Sequence, residues 1–330
     1  MKRVKRLFAC LLALTMMLGL SATAFAEEPA TGKVHTPTDG KVQFEKEYKL
    51  EGEGKSPEED FSFQVAFDRV TDASNTAQKN LPTVSPIHYN AGEAGSETCK
   101  KLVTVNLPAY NSVGIYYYKI TEKAGKTAGV TYDGASVTMK VTVINDTAED
   151  SFKVESVSFA KGENNKLGEG VAAFTNTYTT NKLKVHKTVT GNLGDKSKYF
   201  TFTIKLEGTG EKNYSTSYDV TGGSKASNPS DIILGEPTSF ELKHNETVTI
   251  DLPKGVKYTV TEAEAPGYTT SSENSTGVMD KDEETAAFTN TKNGDIDTGV
   301  YLDNLPYILV FAGVLAIAVV FAVRRRRFED

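Results

Sequence analysis

Residues 137–143, VTMKVTV, alternate strictly between apolar and polar side chains. A period of two over this length is typical of a β-strand that buries one of its faces. The alternation recurs in shorter runs at 42–44, 61–65, 202–204 and 248–250. Gly, Asn, Asp and Pro clusters separate these runs, and between the two ends of the chain no segment has a convincing helical period. The pattern therefore predicts an all-β chain built from sandwiches rather than from βαβ units.

Three motifs occur twice in the chain. The pairs are AAFTNT at 172–177 and 286–291, YKITE at 118–122 with YTVTE at 258–262, and VQFEK at 42–46 with LKVHK at 183–187. A chain of 330 residues has room for two or three domains of ordinary size. The repetition indicates two domains of one ancestry, and we place them at 41–180 and 181–293.

The beginning of the chain has the pattern of an export signal. Residues 1–26 combine a basic start, an apolar run and the small-residue sequence AFA at 24–26, which predicts a secretory signal peptide cleaved after residue 26. An uncleaved membrane anchor is the alternative interpretation. Residues 27–40, which are polar and contain Pro and Gly, are expected to form a flexible lead before the first domain.

The end of the chain, residues 294–330, has the pattern of a sorting signal. An uncharged apolar run at 307–323 is followed by four arginines at 324–327. The run is just long enough to cross a hydrocarbon core as a helix, so it predicts a C-terminal transmembrane helix and transient membrane anchoring. The positive-inside rule then places the arginines in the cytoplasm and everything before Leu305 outside. A helix buried in a globular domain fits less well, because the run is apolar on all sides.

The composition argues against several classes of function. The chain has 43 acidic and 37 basic residues, a net charge of −6, and no basic cluster away from its ends, which argues against a nucleic-acid partner. The four histidines lack the spacing of metal ligands, and no hydrolase or cofactor motif is present. We therefore expect no metal, no cofactor and no enzymatic turnover of a substrate.

Six polar residues are predicted to point into the two cores. Residues i and i+2 of a strand lie on one face, so a polar residue two positions from an apolar one shares its face. The residues concerned are Lys46 and Lys187, Glu122 and Glu262, and Asn176 and Asn290. A lone buried Lys or Glu is costly, so these groups are expected to meet one another or to react.

A lysine, a glutamate and an asparagine suit one particular reaction. Burial lowers the pKa of a lysine and raises that of a glutamate, which supplies a neutral amine and a protonated carboxyl. The amine can attack the asparagine side-chain carbonyl while the carboxyl moves protons and ammonia leaves. The product is a Lys–Asn isopeptide bond, formed once per site. The alternative is that the lysines snorkel at strand ends and the asparagines turn the chain, but the recurrence of the triplet favours the bond.

These motifs carry a family resemblance. The two Lys–Glu–Asn sets, YYYKITE at 116–122 and the Phe-Thr-Asn sequence that closes each half resemble the two-domain major pilins of Gram-positive bacteria, of the streptococcal T-antigen type. The resemblance covers roughly residues 40–300 and implies two tandem immunoglobulin-like β-sandwich domains. By motif it implies cross-links from Lys46 to Asn176 and from Lys187 to Asn290, promoted by Glu122 and Glu262.

The same resemblance implies polymerisation by a sortase transpeptidase. IDTG at 296–299 stands where the sorting motif belongs, so cleavage is expected between Thr298 and Gly299, although Asp297 replaces the usual proline or spacer. The acceptor amine would come from a lysine before the last strand of the first domain. Lys166 and Lys161 are the candidates, and Lys166 is favoured because it is nearer to that strand.

The sequence thus predicts a structural pilin subunit of a covalently polymerised pilus on the surface of a Gram-positive cell. Its expected partners are a sortase, further copies of itself, accessory pilins, peptidoglycan and a host-surface receptor. A monomeric cell-wall-anchored adhesin or stalk that uses the same domains is the main alternative. A surface enzyme is the third hypothesis, and the absence of a catalytic motif argues against it.

Overall fold

In the computed structural model of this chain, the described residues are 42–71, 79–147, 151–162, 165–168, 170–294 and 305–326. The predicted signal peptide at 1–26, the lead at 27–40 and the sorting motif at 296–299 lie outside them. Nearly all the regular structure in the described residues is β-strand, as the alternating pattern predicted.

The described part of the first half forms a series of short and medium-length strands that ends in one long strand. They are β1 (Val42–Glu51), β2 (Glu59–Phe61), β3 (Phe63–Thr71), β4 (Thr83–Val84), β5 (Ile87–Tyr89), β6 (Lys100–Asn106), β7 (Gly114–Glu122), β8 (Val130–Thr131), β9 (Ser136–Asp146), β10 (Ser151–Lys161), β11 (Asn165–Lys166) and β12 (Phe174–Thr190). The run predicted at 61–65 is divided, because β2 pairs with β5 whereas β3 pairs with β7.

The second half continues with nine further strands among the described residues. They are β13 (Phe200–Glu207), β14 (Ser217–Gly222), β15 (Asp231–Ile233), β16 (Thr238–Leu242), β17 (Thr247–Pro253), β18 (Lys257–Glu262), β19 (Thr269–Glu273), β20 (Thr276–Val278) and β21 (Glu283–Thr291). The helix α1 (Leu305–Arg326) follows them.

Two sheets enclose the first hydrophobic core. One has the order β11-β10-β9-β7-β3, and the other places β1 between β6 and β12. The ring of Phe44 on β1 lies 5.3 Å from that of Phe63 and 5.6 Å from that of Phe159, both on the opposite sheet. Alternation along β9 buries Val137, Met139 and their neighbours two residues apart, so the segment that decides the fold class forms the centre of this core.

The second core is built in the same way from a second pair of sheets. One sheet has the order β16-β13-β18-β20, and the facing sheet places β12 between β17 and β21. Phe202 on β13 contacts Phe288 on β21, with the ring centroids 5.1 Å apart. Leu183, Val185 and Val189 of β12 belong to this core, whereas Phe174 and Tyr178 of the same strand belong to the first.

The strand β12 therefore belongs to both halves of the molecule. Its first part pairs in parallel with β1, with Lys46 opposite Phe174, and its second part pairs in parallel with β21, with Lys187 opposite Phe288. The boundary that we placed between residues 180 and 181 lies inside this continuous strand. The pairing brings the first and last strands of each half side by side.

Polar contacts hold the junction between the two halves. The Lys182 ammonium lies 2.9 Å from Glu53 Oε2 and 3.2 Å from Asp251 Oδ1, and so connects a loop of the first half to β17 of the second. The Thr180 hydroxyl donates to the Glu53 carbonyl at 2.6 Å. Thr180 and Lys182 lie near the middle of β12, so these contacts fix the junction between the two halves.

The C-terminal run predicted to be a membrane span forms α1. The side chains at 307–321 are exposed. No helix in the described part of the chain is long and apolar enough to cross a membrane.

Candidate functional site

The first candidate site lies where β1, β7 and β12 meet. Alternation along β1 turns Lys46 inward with Phe44 and Tyr48, and the whole residue is 0% exposed. The Nζ atom of Lys46 lies 4.3 Å from the centroid of the Phe61 ring, so the buried ammonium rests against an aromatic face. The strand pattern thus delivers a charged group to the interior of the first core.

A glutamate connects this lysine to an asparagine. Lys46 Nζ lies 3.2 Å from Glu122 Oε2, and both side chains are fully buried. The Nδ2 group of Asn176 donates a short hydrogen bond to the other carboxylate oxygen, Glu122 Oε1. Glu122 thus contacts both the amine and the amide, which is the arrangement that proton transfer between them requires.

Burial changes the acid–base properties of this group. Removal from water lowers the pKa of Lys46 from 10.5 to about 8, although the nearby Glu122 carboxylate opposes the change. Burial also raises the pKa of Glu122 above its ordinary value, against the opposing effects of Lys46 and of the Asn176 hydrogen bond. Both directions favour the neutral amine and the protonated carboxyl over a fixed ion pair.

The second candidate site repeats the first at β12, β18 and β21. Lys187 Nζ lies 2.8 and 2.9 Å from the two oxygens of Glu262. Asn290 Nδ2 donates to Glu262 Oε1 at 2.5 Å. The Lys187 and Glu262 side chains are 0% and 2% exposed, and the Phe200 ring centroid lies 4.4 Å from Lys187 Nζ. Burial lowers the pKa of Lys187 below its ordinary value.

The structure therefore brings each predicted Lys–Glu–Asn set together in the interior of its own half. Each set holds an amine, a carboxyl group and a primary amide, with the carboxyl group between the other two. The Lys and the Asn of each set are far apart in sequence and meet because the last strand lies beside the first, whereas the Glu comes from a strand of the facing sheet. Such a group can transfer an acyl group from the amide to the amine without any other reagent.

Sequence reasoning missed one residue at the first site. The backbone N–H of Asp133 donates to Asn176 Oδ1 at 2.9 Å, and the Asp133 carboxylate accepts the backbone N–H of Thr175 at 2.9 Å. The only sequence signal is the Asp133-Gly134 dipeptide, which predicts a turn and nothing more. At the second site Asn290 Oδ1 is buried and has no hydrogen-bond partner among the described residues.

The two candidate acceptor lysines lie on different strands of one edge. Lys166 is exposed on β11, which is the edge strand of its sheet and pairs only with the end of β10 among the described strands. Lys161 at the end of β10 is half-buried, and its Nζ lies 3.6 Å from Asp133 Oδ2. Lys161 is thus engaged in an ion pair next to the first site, whereas Lys166 presents its amine to solvent.

The lowered pKa of Lys46 predicts a pH-dependent stability for a chain that cannot form the first isopeptide bond. In Asn176→Ala, folded Lys46 loses its proton near pH 8, whereas the unfolded chain keeps that proton to about 10.5. The unfolded state then binds more protons between these values, so the free energy of unfolding rises with pH across that window, by up to about 3 kcal/mol. Denaturant unfolding at pH 7.5, 9 and 10 measures this change, and Asn176→Ala combined with Lys46→Met is the control that should lack it. If the free energy of unfolding changed equally with pH in the two chains, the lowered pKa of Lys46 would be contradicted.

The fold and the two sites together define a class of protein, an all-β protein with a buried Lys–Glu–Asn group in each half. Residues 42–179 match the family described as "Spy0128-like isopeptide containing domain". Residues 181–292 match a family described only as a domain of unknown function.

Relatives of known type agree with this class. The chain is 30% identical over 291 residues to a pilin of Streptococcus pyogenes serotype M1, a match that covers 79% of this chain and 83% of the relative. The chain belongs to the pilin family, and it is a structural subunit of a pilus. A second relative, the pilus tip adhesin Cpa of Streptococcus pyogenes, is 32% identical over 132 residues, 38% of this chain and 18% of the adhesin.

Solved structures show the same fold. The major pilin from Streptococcus pyogenes matches with a TM-score of 0.56 at 24% identity, over 77% of this chain and 99% of the pilin. The T3.2 major pilin from the same organism matches with a TM-score of 0.53 at 25% identity, over 77% and 98%. The all-β prediction is confirmed by this agreement and by the strands themselves.

Proposed function

We propose that this pilin closes each of its halves with an isopeptide bond made by its own residues, and that the closed subunits are then joined covalently into a pilus on the surface of a Gram-positive cell. The observation that carries the proposal is the buried Lys–Glu–Asn set, which occurs twice with the same connectivity. An unreacted buried lysine costs free energy, so a buried amine next to a buried amide is expected to react with it.

The reaction is the same at both sites. The neutral Lys46 amine attacks Cγ of Asn176, a C–N bond forms, and the carbonyl oxygen takes the electron pair. The protonated Glu122 carboxyl gives its proton to Nδ2, and the resulting carboxylate takes the proton that the amine nitrogen loses, so Nδ2 leaves as ammonia while the C=O bond is restored. Lys187, Glu262 and Asn290 play the corresponding parts in the second half. Each site reacts once, so the chain is a substrate of its own chemistry rather than an enzyme with turnover.

The domains defined by this chemistry are the sandwiches at 41–180 and 181–293, which we take to be immunoglobulin-like. Residues 1–26 direct export, and the segment 294–330 directs sorting. The sortase cysteine attacks the carbonyl of Thr298, and the bond to Gly299 breaks, which leaves a thioester that an amine can attack. The amine comes from the next subunit during polymerisation and from peptidoglycan at the end. Assembly with other pilins is supported by the relatives, which include a pilus tip adhesin.

Lys166 is the acceptor that the geometry favours. It is exposed on β11, an edge strand among the described strands, and an edge strand is where an incoming chain can pair with a sheet. Lys161 would first have to break its contact with Asp133. An exposed amine that has no ion pair among the described residues is the better nucleophile toward a thioester that arrives from outside.

A monomeric adhesin or stalk remains the second candidate, and the match of part of this chain to a pilus tip adhesin favours it. The two functions predict different products in cell-wall extracts. A polymerised subunit gives a ladder of high-molecular-weight species, whereas a stalk gives one species attached to the wall.

The test of the isopeptide proposal is the intact mass of residues 27–293 after purification. Each bond releases one ammonia, so two bonds lower the mass by about 34 Da relative to the sequence. Peptide mapping should join the peptide containing Lys46 to that containing Asn176, and likewise Lys187 to Asn290. A mass equal to that of the sequence would reject self-closure and leave the two sets as structural polar groups.

A further inference from the structure

The loop between β8 and β9 lies over the first Lys–Glu–Asn site and is fixed by four polar contacts. The backbone N–H of Asp133 donates to Asn176 Oδ1 at 2.9 Å. Its carboxylate accepts the backbone N–H groups of Thr175 and Ala135, each at 2.9 Å, and lies 3.6 Å from Lys161 Nζ. The side chain is only 14% exposed, so the loop is anchored against the last strand rather than free in solvent.

These contacts fix the orientation of the Asn176 amide. The oxygen accepts from Asp133, and the nitrogen donates to Glu122. In this orientation the group that must leave faces the carboxyl that can protonate it. The oxygen that must accept charge faces a donor held in place by the rest of the loop.

We propose that the backbone N–H of Asp133 is the oxyanion donor for isopeptide formation in the first half, and that the Asp133 carboxylate and Lys161 position it. This inference rests on the proposed isopeptide chemistry. When the bond from Lys46 Nζ to Asn176 Cγ forms, the carbonyl electron pair moves onto Oδ1, which becomes negatively charged. The N–H of Asp133 stabilises that charge until Nδ2 leaves as ammonia and the carbonyl is restored.

The second half provides the contrast. Asn290 Oδ1 is buried and has no hydrogen-bond donor among the described residues, although its Nδ2 contacts Glu262 as Asn176 contacts Glu122. The two sites therefore share the amine, the carboxyl and the amide and differ in the oxyanion donor. A change at Asp133 should affect the first bond and leave the second unchanged, which gives an internal control in every molecule.

The test follows the two bonds during cell-free synthesis of residues 27–293. Samples are quenched in acid at intervals, and peptide mapping reports the fraction of each bond. Asp133→Pro removes the N–H and should slow the first bond by about 10²–10³-fold, the usual effect of losing one oxyanion donor. Asp133→Ala keeps the N–H but removes its anchor and should slow the bond less, and Asp133→Asn should lie between Asp133→Ala and the parent chain because its amide oxygen can still accept one N–H.

A second pair of variants tests the positioning role without changing the loop itself. Lys161→Met removes the ion pair and should slow the first bond measurably, whereas Lys153→Met, an exposed lysine on the same strand, should not. Near-ultraviolet circular dichroism reports whether the first half has folded. If Asp133→Pro fails to fold, the first-bond rates of the other chains still test the positioning role. The parent should be fastest, Asp133→Asn slower and Asp133→Ala slowest.

The outcomes separate this inference from the proposed function. No loss of ammonia in the parent chain would reject isopeptide formation altogether. A first-bond rate within about threefold of the parent in folded Asp133→Pro would reject only the oxyanion role, since a donor that matters contributes far more than that. If that chain does not fold, a first-bond rate in Asp133→Ala equal to that of the parent would reject it instead. An equal slowing of both bonds would also overturn it, because the second site has no contact with this loop among the described residues.

Discussion

Glu122→Ala will retain the second isopeptide bond and lose the first, so its mass will lie about 17 Da rather than about 34 Da below that of its sequence. Glu122 is the group that contacts both the Lys46 amine and the Asn176 amide. Without it the amine keeps its proton and ammonia has no proton donor, so the reaction stops even though both reacting groups remain.

The same variant should also lose much of the stability of its first half. A cross-link between Lys46 and Asn176 closes a loop of about 130 residues, and the chain-entropy model gives such a loop about 5 kcal/mol of stabilisation. Glu122→Ala should therefore show a separate unfolding transition for the first half at lower temperature, measured by calorimetry. Proteolysis should attack the first half before the second.

Two further variants serve as controls for this prediction. Glu262→Ala should give the mirror result, with about 17 Da lost and the second half destabilised. Glu155→Ala, which changes an exposed glutamate on β10, should keep the full deficit and both transitions. If Glu122→Ala still showed about 34 Da, proton transfer by Glu122 would be wrong, whatever the distance between the groups.

Lys166→Ala will abolish the high-molecular-weight ladder in cell-wall extracts of a host that carries the matching sortase, and will leave monomer bound to the wall. The expectation follows from the position of Lys166, exposed on the edge strand β11. Immunoblots of wall digests measure it. The internal bonds should be unaffected, so the monomer keeps its deficit of about 34 Da.

Lys161→Ala provides the opposite pattern and makes the two lysines distinguishable. It should preserve the ladder but slow the first internal bond, since Lys161 contacts Asp133 beside the first site. Lys153→Ala should change neither property. A ladder that survives Lys166→Ala and disappears in Lys161→Ala would exchange the roles of the two lysines, and a wild-type chain without any ladder would favour the monomeric stalk.

The position of β12 has a mechanical consequence for the proposed bonds. This strand carries Asn176 in its first part and Lys187 in its second, so a single extended segment connects the two cross-links. A pull along the pilus would then pass from Lys187 through the second bond to Asn290 without loading the strands between them. We expect the second half to resist extension more than an uncross-linked sandwich of the same size.

The sequence predicted the parts of this fold that depend on local periodicity. Alternation places Lys46 on the buried face of β1 because side chains of a strand alternate between faces wherever the strand lies. The repeated motifs revealed both Lys–Glu–Asn sets for a similar reason, because a polar residue at a position where the alternation predicts an apolar one can be recognised from the sequence alone. The junction was less predictable, because a strand that serves two sheets has the same alternation as two separate strands.

What the sequence by itself determined is therefore the all-β class, the division into two halves and the identity of the Lys, Glu and Asn residues in the two buried sets. Only the tertiary structure decided what surrounds them. Asp133 reaches Asn176 through its backbone N–H, and every residue except proline has that group, so no side-chain pattern could have marked it. The ion pair of Lys161 and the exposure of Lys166 were equally hidden, because two lysines five residues apart differ only in which neighbours the folded sheets bring to them.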